Sequence, residues 1–374
     1  MSGRTIRAAI IGAGMIGDVH RRAIRDAGAQ LVGVLGSSPA RSAEAADAWG
    51  GRGYAELAEL LADAPDVVHV CTPNATHLEY ALAVIEAGIH VVVEKPLATS
   101  TADARRLADA ARVAGVVATV PFVYRFHPLV RELRARRIAG EFGDLTLVHG
   151  SYLQDWLVSP DASSWRVDAG LGGASRAFAD IGSHWCDLVE FVSGERFTSV
   201  SAVTSIAYET RPAASAPSFG GASSQATRAR VTTEDTAVAT FRTANGVVAN
   251  TVISQVAAGR KNRLWFELDG SAGSAVFDQE NPESVWLGGE DGSTVLNRGE
   301  GRVSHDQARL NRAPAGHPMG YLDAFAAFVA DTYAVIGGAA PEGLPTFADG
   351  VRSAIIVDAV LTSAADSTWK EIDA

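Results

Sequence analysis

This chain of 374 residues is short of several things, and each shortage removes a class of function. It has two cysteines, Cys71 and Cys186, too few for a disulfide framework, so a reducing cytoplasm is the expected location. It has no run of about 18 apolar residues, so no helical membrane span is expected. The opening "MSGRTIRAAIIGAG" lacks the pattern of a signal peptide, because glycines interrupt a short apolar run and no small-residue cleavage site follows. Basic charge is scarce: the net charge is -11 and no basic stripe exists, which argues against nucleic acid as a partner. No metal-ligand set is expected. Lysine is scarcest of all, with only Lys95, Lys261 and Lys370 among 32 basic residues. A lysine at a strand end is therefore no casual surface charge. It also differs in kind from arginine, because an ammonium can give up its proton and a guanidinium effectively cannot.

What is present points to two domains. The length suits two, and 47% hydrophobic with 20% charged residues suits well-packed ones. Strands and helices alternate over residues 5–122. "TIRAAIIGAGMIGDVHRRAIRDAG" reads strand, glycine turn, helix, and "QLVGVLG", "DVVHVCT", "HVVVEK" and "VVATVPF" read as further strands separated by helical segments. That pattern predicts a doubly wound parallel sheet of the α/β class, a dinucleotide-binding Rossmann domain over residues 1–122. After Pro121 the text changes. One helix, "HPLVRELRARRIAG", precedes β-rich segments with turn pairs Asn245-Gly246 and Asp269-Gly270, which predict a largely antiparallel sheet in a second, α+β domain over 123–374. The segment 211–228 is low-complexity and reads as a mobile loop or an edge excursion. "GYLDAFAAFVADTYAVI" and "FADGVRSAIIVDAVLTSAAD" carry helical apolar spacing.

Four motifs carry chemistry. Gly12, Gly14 and Gly17 form G-x-G-x-x-G around Met15 and Ile16, between a strand and a helix, where backbone can approach a pyrophosphate and the helix N-terminus offers N–H groups. An acid at the end of the second strand would select NAD, but "GVLGSSPARS" has none from Gly33 to Ser42. Ser37, Ser38 and Arg41 can bind a 2′-phosphate there, so NADP is slightly favoured over NAD; the plainer reading makes Arg41 a first-turn surface residue. "CTPNATH" leaves a buried strand at the ligand edge, placing Thr72, Pro73, Asn74 and His77 near the cofactor, although Asn74 and Thr76 also suit helix capping and His77 a satisfied surface histidine. "VVVEKPL" ends a buried strand at the same edge. Lys95 would face a bound nicotinamide, Glu94 would hold or tune the ammonium, and Pro96 tolerates a cis bond; the plainer reading is a solvated Glu–Lys pair. In "FADIGSHWCDL", Asp180 and His184 are four apart on one expected helix face. That makes either a proton acceptor with its carboxylate, or a cap and a core histidine.

In order and separation, "GAGMIG", "TPNATH", "EKP" and "DIGSH" resemble the glucose–fructose oxidoreductase / inositol dehydrogenase / MocA family over essentially the whole chain. The resemblance implies a Rossmann domain, then a domain built on a large, mostly antiparallel open sheet, with the C-terminal helix packing back on the first domain. It implies Lys95, Asp180 and His184 as the catalytic set, a Lys95–Pro96 bond that is often cis, and homodimers or homotetramers built through the open sheet. "YRFHP" departs from the family's usual text, so Tyr124 and Arg125 carry over only as a loose substrate edge. The stretch holding Trp165 and Arg166 resembles members that act on sugars and anhydrosugars. The implied activity is NAD(P)-dependent oxidation of a secondary hydroxyl on a sugar or cyclic polyol. A non-catalytic dinucleotide sensor, or a reductase of a non-sugar substrate, stays open as an alternative.

Overall fold

A computed structural model describes residues 4–213, 220–221, 227–301 and 303–373. Its contacts divide the chain into two units: Met1–Val123 with Ala324–Ala354, and Tyr124–Asp323 with Ile355–Ala374. The sequence reading put one boundary near residue 122 and sent only the last helix back to the first domain.

The N-terminal segment runs β1 (Arg7–Ile11), α1 (Met15–Asp26), β2 (Gln30–Leu35), α2 (Pro39–Trp49), β3 (Arg52–Tyr54), α3 (Leu57–Ala62), β4 (Val67–Val70), α4 (His77–Glu86), β5 (His90–Val93), α5 (Thr101–Ala114) and β6 (Ala118–Thr119). The strands form a six-stranded parallel sheet in the order β3-β2-β1-β4-β5-β6. The winding reverses at β1, whose two neighbours are β2 and β4, and the crevice at such a reversal is where open α/β sheets take their ligands. Val67, Val68, Val70 and Val91 to Val93 are fully buried, as expected for strands covered on both faces. The three-residue β3 was not read from the sequence. β5 is shorter than expected: the Glu94 N–H still bonds Val70 O, and the chain then turns through a cis Lys95–Pro96 peptide.

The rest of the chain carries α6 (Pro128–Ile138), β7 (Leu145–Leu153), β8 (Ala162–Ser163), α7 (Ala169–Gly172), α8 (Ser183–Ser193), β9 (Phe197–Ser205), β10 (Thr210–Pro212), β11 (Gly220–Gly221), β12 (Arg228–Arg230), β13 (Thr236–Thr243), β14 (Val248–Ser254), β15 (Arg263–Gly270), β16 (Ser274–Asp278), β17 (Ser284–Gly289), β18 (Gly292–Asn297), α9 (His305–Leu310), α10 (Tyr321–Ile336), α11 (Phe347–Asp366) and β19 (Lys370–Glu371). Nine strands form one sheet, β18-β17-β16-β15-β7-β14-β13-β9-β19, in which β7 and β14 pair in parallel and the other pairs are antiparallel. α8 is buried along its whole length. Its Trp185 donates to Trp265 O at 3.0 Å, across a strand that is glycine at 150 because a Cβ there would lie 2.1 Å from that same carbonyl oxygen. Of the segment 211–228, β10 pairs with β12 and β11 with β8; its remaining residues fall largely outside those described.

In the first unit, Phe347 joins the core that holds Val91, Val93, Leu107 and Ala111, and the Phe325 ring of α10 lies 4.8 Å from that of His20. The helix-spaced text at 320–336 thus supplies one of the layers over the parallel sheet.

Candidate active site

The three glycines of the first loop do three different jobs. Gly12 has φ +108, a conformation that favours glycine, and a Cβ there would meet Cys71 O at 2.5 Å. Gly17 lies under the loop, where a Cβ would sit 2.2 Å from Gly12 O; its absence lets α1 pack closely. Gly14 is exposed, and a Cβ there would meet nothing within 4 Å. It is also the N-cap of α1, with no side chain satisfying the first-turn N–H groups. An open cradle at the second glycine, with free donors and the positive end of a 12-residue helix behind it, fits a dinucleotide pyrophosphate. Met15 is half exposed beside it, and Ile16 is partly buried.

At the end of β2, Ser38 is the N-cap of α2 and accepts from Arg41 N at 3.3 Å. The exposed Arg41 guanidinium donates to Glu44 Oε2 at 2.7 Å, and Ser37 is exposed. The plainer reading of Arg41 describes its local bond, and Ser38 is occupied as a helix cap.

After β4, Asn74–Thr76 form a 3₁₀ turn. Thr76 stands at the N-cap of α4, but its hydroxyl turns back to Pro73 O and Thr72 Oγ1, both at 2.8 Å, rather than capping the helix. His77 is not a surface residue: it is fully buried, with Nδ1 2.9 Å from Pro96 O and Nε2 2.9 Å from Thr72 O. The ring pins the Thr72 loop to the Lys95–Pro96 turn. Burial lowers its pKa despite those two carbonyls, and the neutral ring donates to one of them at a time. Glu94 is buried as well, so the Glu–Lys pair is not a solvated one. Its Oε2 accepts from Lys95 N at 3.1 Å and its Oε1 lies 2.9 Å from His20 Nε2. Burial would raise the pKa of this carboxyl, but the hydrogen bond from His20 and the adjacent Lys95 ammonium outweigh it and hold the group below its ordinary value.

The second unit gathers a separate polar group. Phe178–Gly182 is a π-helical turn leading into α8. Asp180 thus sits on the π turn and His184 in the α-helix that follows, rather than both in one α-helix; π turns recur at functional sites. Asp180 Oδ2 accepts from Gln255 Nε2 at 2.8 Å, and its Oδ1 lies 3.7 Å from Arg166 Nε. Arg166 in turn stacks over Trp165 at 4.5 Å. The buried His184 ring stands edge-on to Tyr124, with centroids 5.1 Å apart, and 6.5 Å from Tyr152. Tyr152 donates to Asn262 Oδ1 at 2.7 Å, which leaves Tyr124 to donate to Tyr152 at 2.6 Å, while Asn262 Nδ2 donates back to Tyr124 at 3.1 Å. Burial raises both phenol pKa values, so these rings stay neutral donors. Arg125 is turned elsewhere: it grips both carboxylate oxygens of Asp187 and lies over Phe191.

Sequence reasoning missed His20, His69, Tyr152, Gln255, Asn262 and Tyr333. His69 did leave a signal, as a polar residue inside the buried run "DVVHV". The others lie on elements far apart in the chain from the motifs they serve.

Residues 6–122 match a family model described as "Oxidoreductase family, NAD-binding Rossmann fold", and residues 130–276 match one described as "GFO/IDH/MocA C-terminal domain". Among curated proteins, the chain is 31% identical over 353 residues to a levoglucosan dehydrogenase of Pseudarthrobacter phenanthrenivorans, covering 90% of this chain and 88% of that protein. It is 32% identical over 213 residues to a D-glucoside 3-dehydrogenase of Escherichia coli, covering 56% and 59%. Solved relatives include a levoglucosan dehydrogenase in complex with NADH and L-sorbose, with TM-score 0.89, 28% identity and 99% of each chain covered. An inositol dehydrogenase homolog from Azotobacter vinelandii, in complex with NADH and myo-inositol, has TM-score 0.84 and 26% identity, covering 99% of this chain and 98% of that one.

Proposed function

The chain belongs to the GFO/IDH/MocA oxidoreductase family, and from that membership we propose that it is an NAD(P)-dependent dehydrogenase acting on a secondary hydroxyl of a sugar, a sugar derivative or a cyclic polyol. The observation that carries this reading is the setting of His184, among the hydroxyls and amides of Tyr124, Tyr152 and Asn262 rather than among apolar rings alone. Such a wall suits a substrate bearing several hydroxyls, because analogues that lack one leave buried polar groups unpaired. The first unit carries the dinucleotide, cradled at Gly12, Gly14 and Gly17, and the second carries the substrate. When bound, the nicotinamide supplies the acceptor or donor of the transferred hydride. The chain does the rest. His184 takes the hydroxyl proton, Asp180 sets the field around it with Arg166 and Gln255 fixing the carboxylate, and Lys95 donates a hydrogen bond to the developing alkoxide. Trp165 and Arg166 line the substrate side. Arg125, bound to Asp187, ties the Tyr124 turn to α8 instead.

For the cofactor, the missing acid at the end of β2 supports NADP, with Ser37, Ser38 and Arg41 at its 2′-phosphate. The solved relatives named above hold NADH, which favours a second reading in which this chain uses NAD. A reduction screen of both dinucleotides against sugars and polyols tests substrate and cofactor together. The expected result is turnover of a ring sugar or polyol with kcat/KM for NADP at least equal to that for NAD, and an Arg41→Ala variant that loses about tenfold with NADP alone. No turnover across the screen overturns the substrate class; a strong NAD preference that survives Arg41→Ala overturns the cofactor assignment.

The same reading includes self-association and a reducing cytoplasm, the latter supported by Cys71 and Cys186 being buried and joined in no disulfide. On the outward positions of the nine-stranded sheet, Val203, Val238 and Val252 stand in register across three strands, and Trp286 stands beside Val295, all well exposed. An apolar stripe of that kind marks a contact surface. Sedimentation velocity should give a dimer or tetramer that Val238→Glu weakens; a wild-type monomer at micromolar concentration sinks this part.

A further inference from the structure

Behind the Lys95 turn lies a chain of buried polar groups that the proposed chemistry does not use. Glu94 Oε1 is 2.9 Å from His20 Nε2, His20 Nδ1 is 2.7 Å from His69 Nδ1, and His69 Nε2 is 2.8 Å from the Tyr333 hydroxyl. Both histidines are fully buried, Glu94 and Tyr333 nearly so, and the Phe325 ring closes over His20. The four residues come from α1, β4, the end of β5 and α10, all within the first unit.

The proton positions follow from which atoms can donate. Glu94 is held ionised and only accepts, so His20 Nε2 carries a hydrogen. If His20 is neutral, its Nδ1 accepts, His69 Nδ1 must donate, and His69 Nε2 then accepts from Tyr333. Every donor and acceptor in the run is satisfied. If His20 carries a second proton, the other two bonds reverse, and the Tyr333 hydroxyl hydrogen is left without an acceptor among the described residues. Burial also pushes the His69 pKa well down and the Tyr333 pKa well up, which agrees with the neutral arrangement. A buried donor left unmade carries a desolvation cost, enough to select one direction.

We propose that Tyr333, His69 and His20 are positioning residues: a one-way hydrogen-bond chain that holds the Glu94 carboxylate in place, so that Glu94 clamps the backbone N–H of Lys95. The Lys95 turn is then gripped at its N–H by Glu94 and, in the Nδ1–H tautomer of His77, at Pro96 O as well. The proposal rests on the assignment of Lys95 to the reaction, and it adds the reason why a buried glutamate precedes that lysine. Because the chain only positions, it needs a donor and an acceptor at residue 20 but no mobile proton.

That distinction makes the test. Glutamine can accept from His69 and donate to Glu94, yet cannot take up a proton; leucine can do neither. His20→Leu should lose about tenfold to a hundredfold in kcat, as small misplacements of reacting groups do, with a smaller change in KM for the dinucleotide. His20→Gln should recover most of that loss. If the glutamine variant is as slow as the leucine variant while both stay folded by circular dichroism, the chain carries protons and the positioning role is wrong. Nitrogen-15 spectra of histidine-labelled wild-type protein at neutral pH give a second reading that needs no turnover. His20 should be the Nε2–H tautomer and His69 the Nδ1–H tautomer, and any other pair overturns the chain. A failed Lys95 assignment leaves those spectra unchanged, so the two ideas fail separately.

Discussion

Lys95→Met and His184→Ala should each cut kcat by about a hundredfold to ten-thousandfold, the usual worth of general acid–base help, while dinucleotide affinity changes little. The affinity should hold because the pyrophosphate cradle is built from backbone at Gly12, Gly14 and Gly17 and from the N-terminus of α1, not from either side chain. Methionine keeps the length and apolar stem of lysine and removes only the ammonium. Lys95→Arg sharpens the test: it restores charge, but a guanidinium does not give up its proton. Stopped-flow measurement of the first turnover, with fluorescence titration of the reduced dinucleotide, separates chemistry from binding. Near-normal turnover in His184→Ala means the base is misassigned. If Lys95→Met is also unimpaired, a dinucleotide-sensing protein becomes the better description.

Gly14→Val should lose about a hundredfold in dinucleotide affinity, or about 2.7 kcal/mol, and keep its melting temperature. The prediction depends on the space at this residue. Among the described residues nothing beyond Gly14's own chain neighbours and helix backbone lies within 4 Å of where a Cβ would stand, so the folded chain tolerates the side chain, and a ligand at the cradle meets it. Gly17→Ala should behave in the opposite order. Its Cβ would sit 2.2 Å from Gly12 O, so overpacking should lower stability by about 1–3 kcal/mol even without ligand. Calorimetric melting and a binding titration on the two variants give a crossed pattern. Unchanged affinity in Gly14→Val removes the pyrophosphate from this loop.

The sequence by itself determined what is local or periodic. The parallel sheet was legible because buried strands such as residues 67–70 and 90–93 are valine-rich runs, each with a single histidine, between helical segments, and a glycine loop in that context has few other uses. The antiparallel character of the second sheet was legible from alternation and from turn pairs. The importance of Lys95 came from scarcity and position. Tertiary structure alone decided the rest. Nothing near residue 325 says that α10 belongs with the N-terminal sheet, because helical periodicity shows that a face is apolar and not which surface covers it. The π turn at Phe178–Gly182 was not legible in the spacing of Asp180 and His184, which was read on α-helical geometry. His77 was placed near the cofactor or, in the plainer reading, on the surface; only the fold shows it buried, with the backbone carbonyls Thr72 O and Pro96 O making that burial tolerable. Tyr333, 264 residues from His69 in the chain, completes a run of hydrogen bonds whose direction is set by the carboxylate at its far end. Proton order of that kind is a property of atoms brought within 3 Å of one another, and only the fold brings them there.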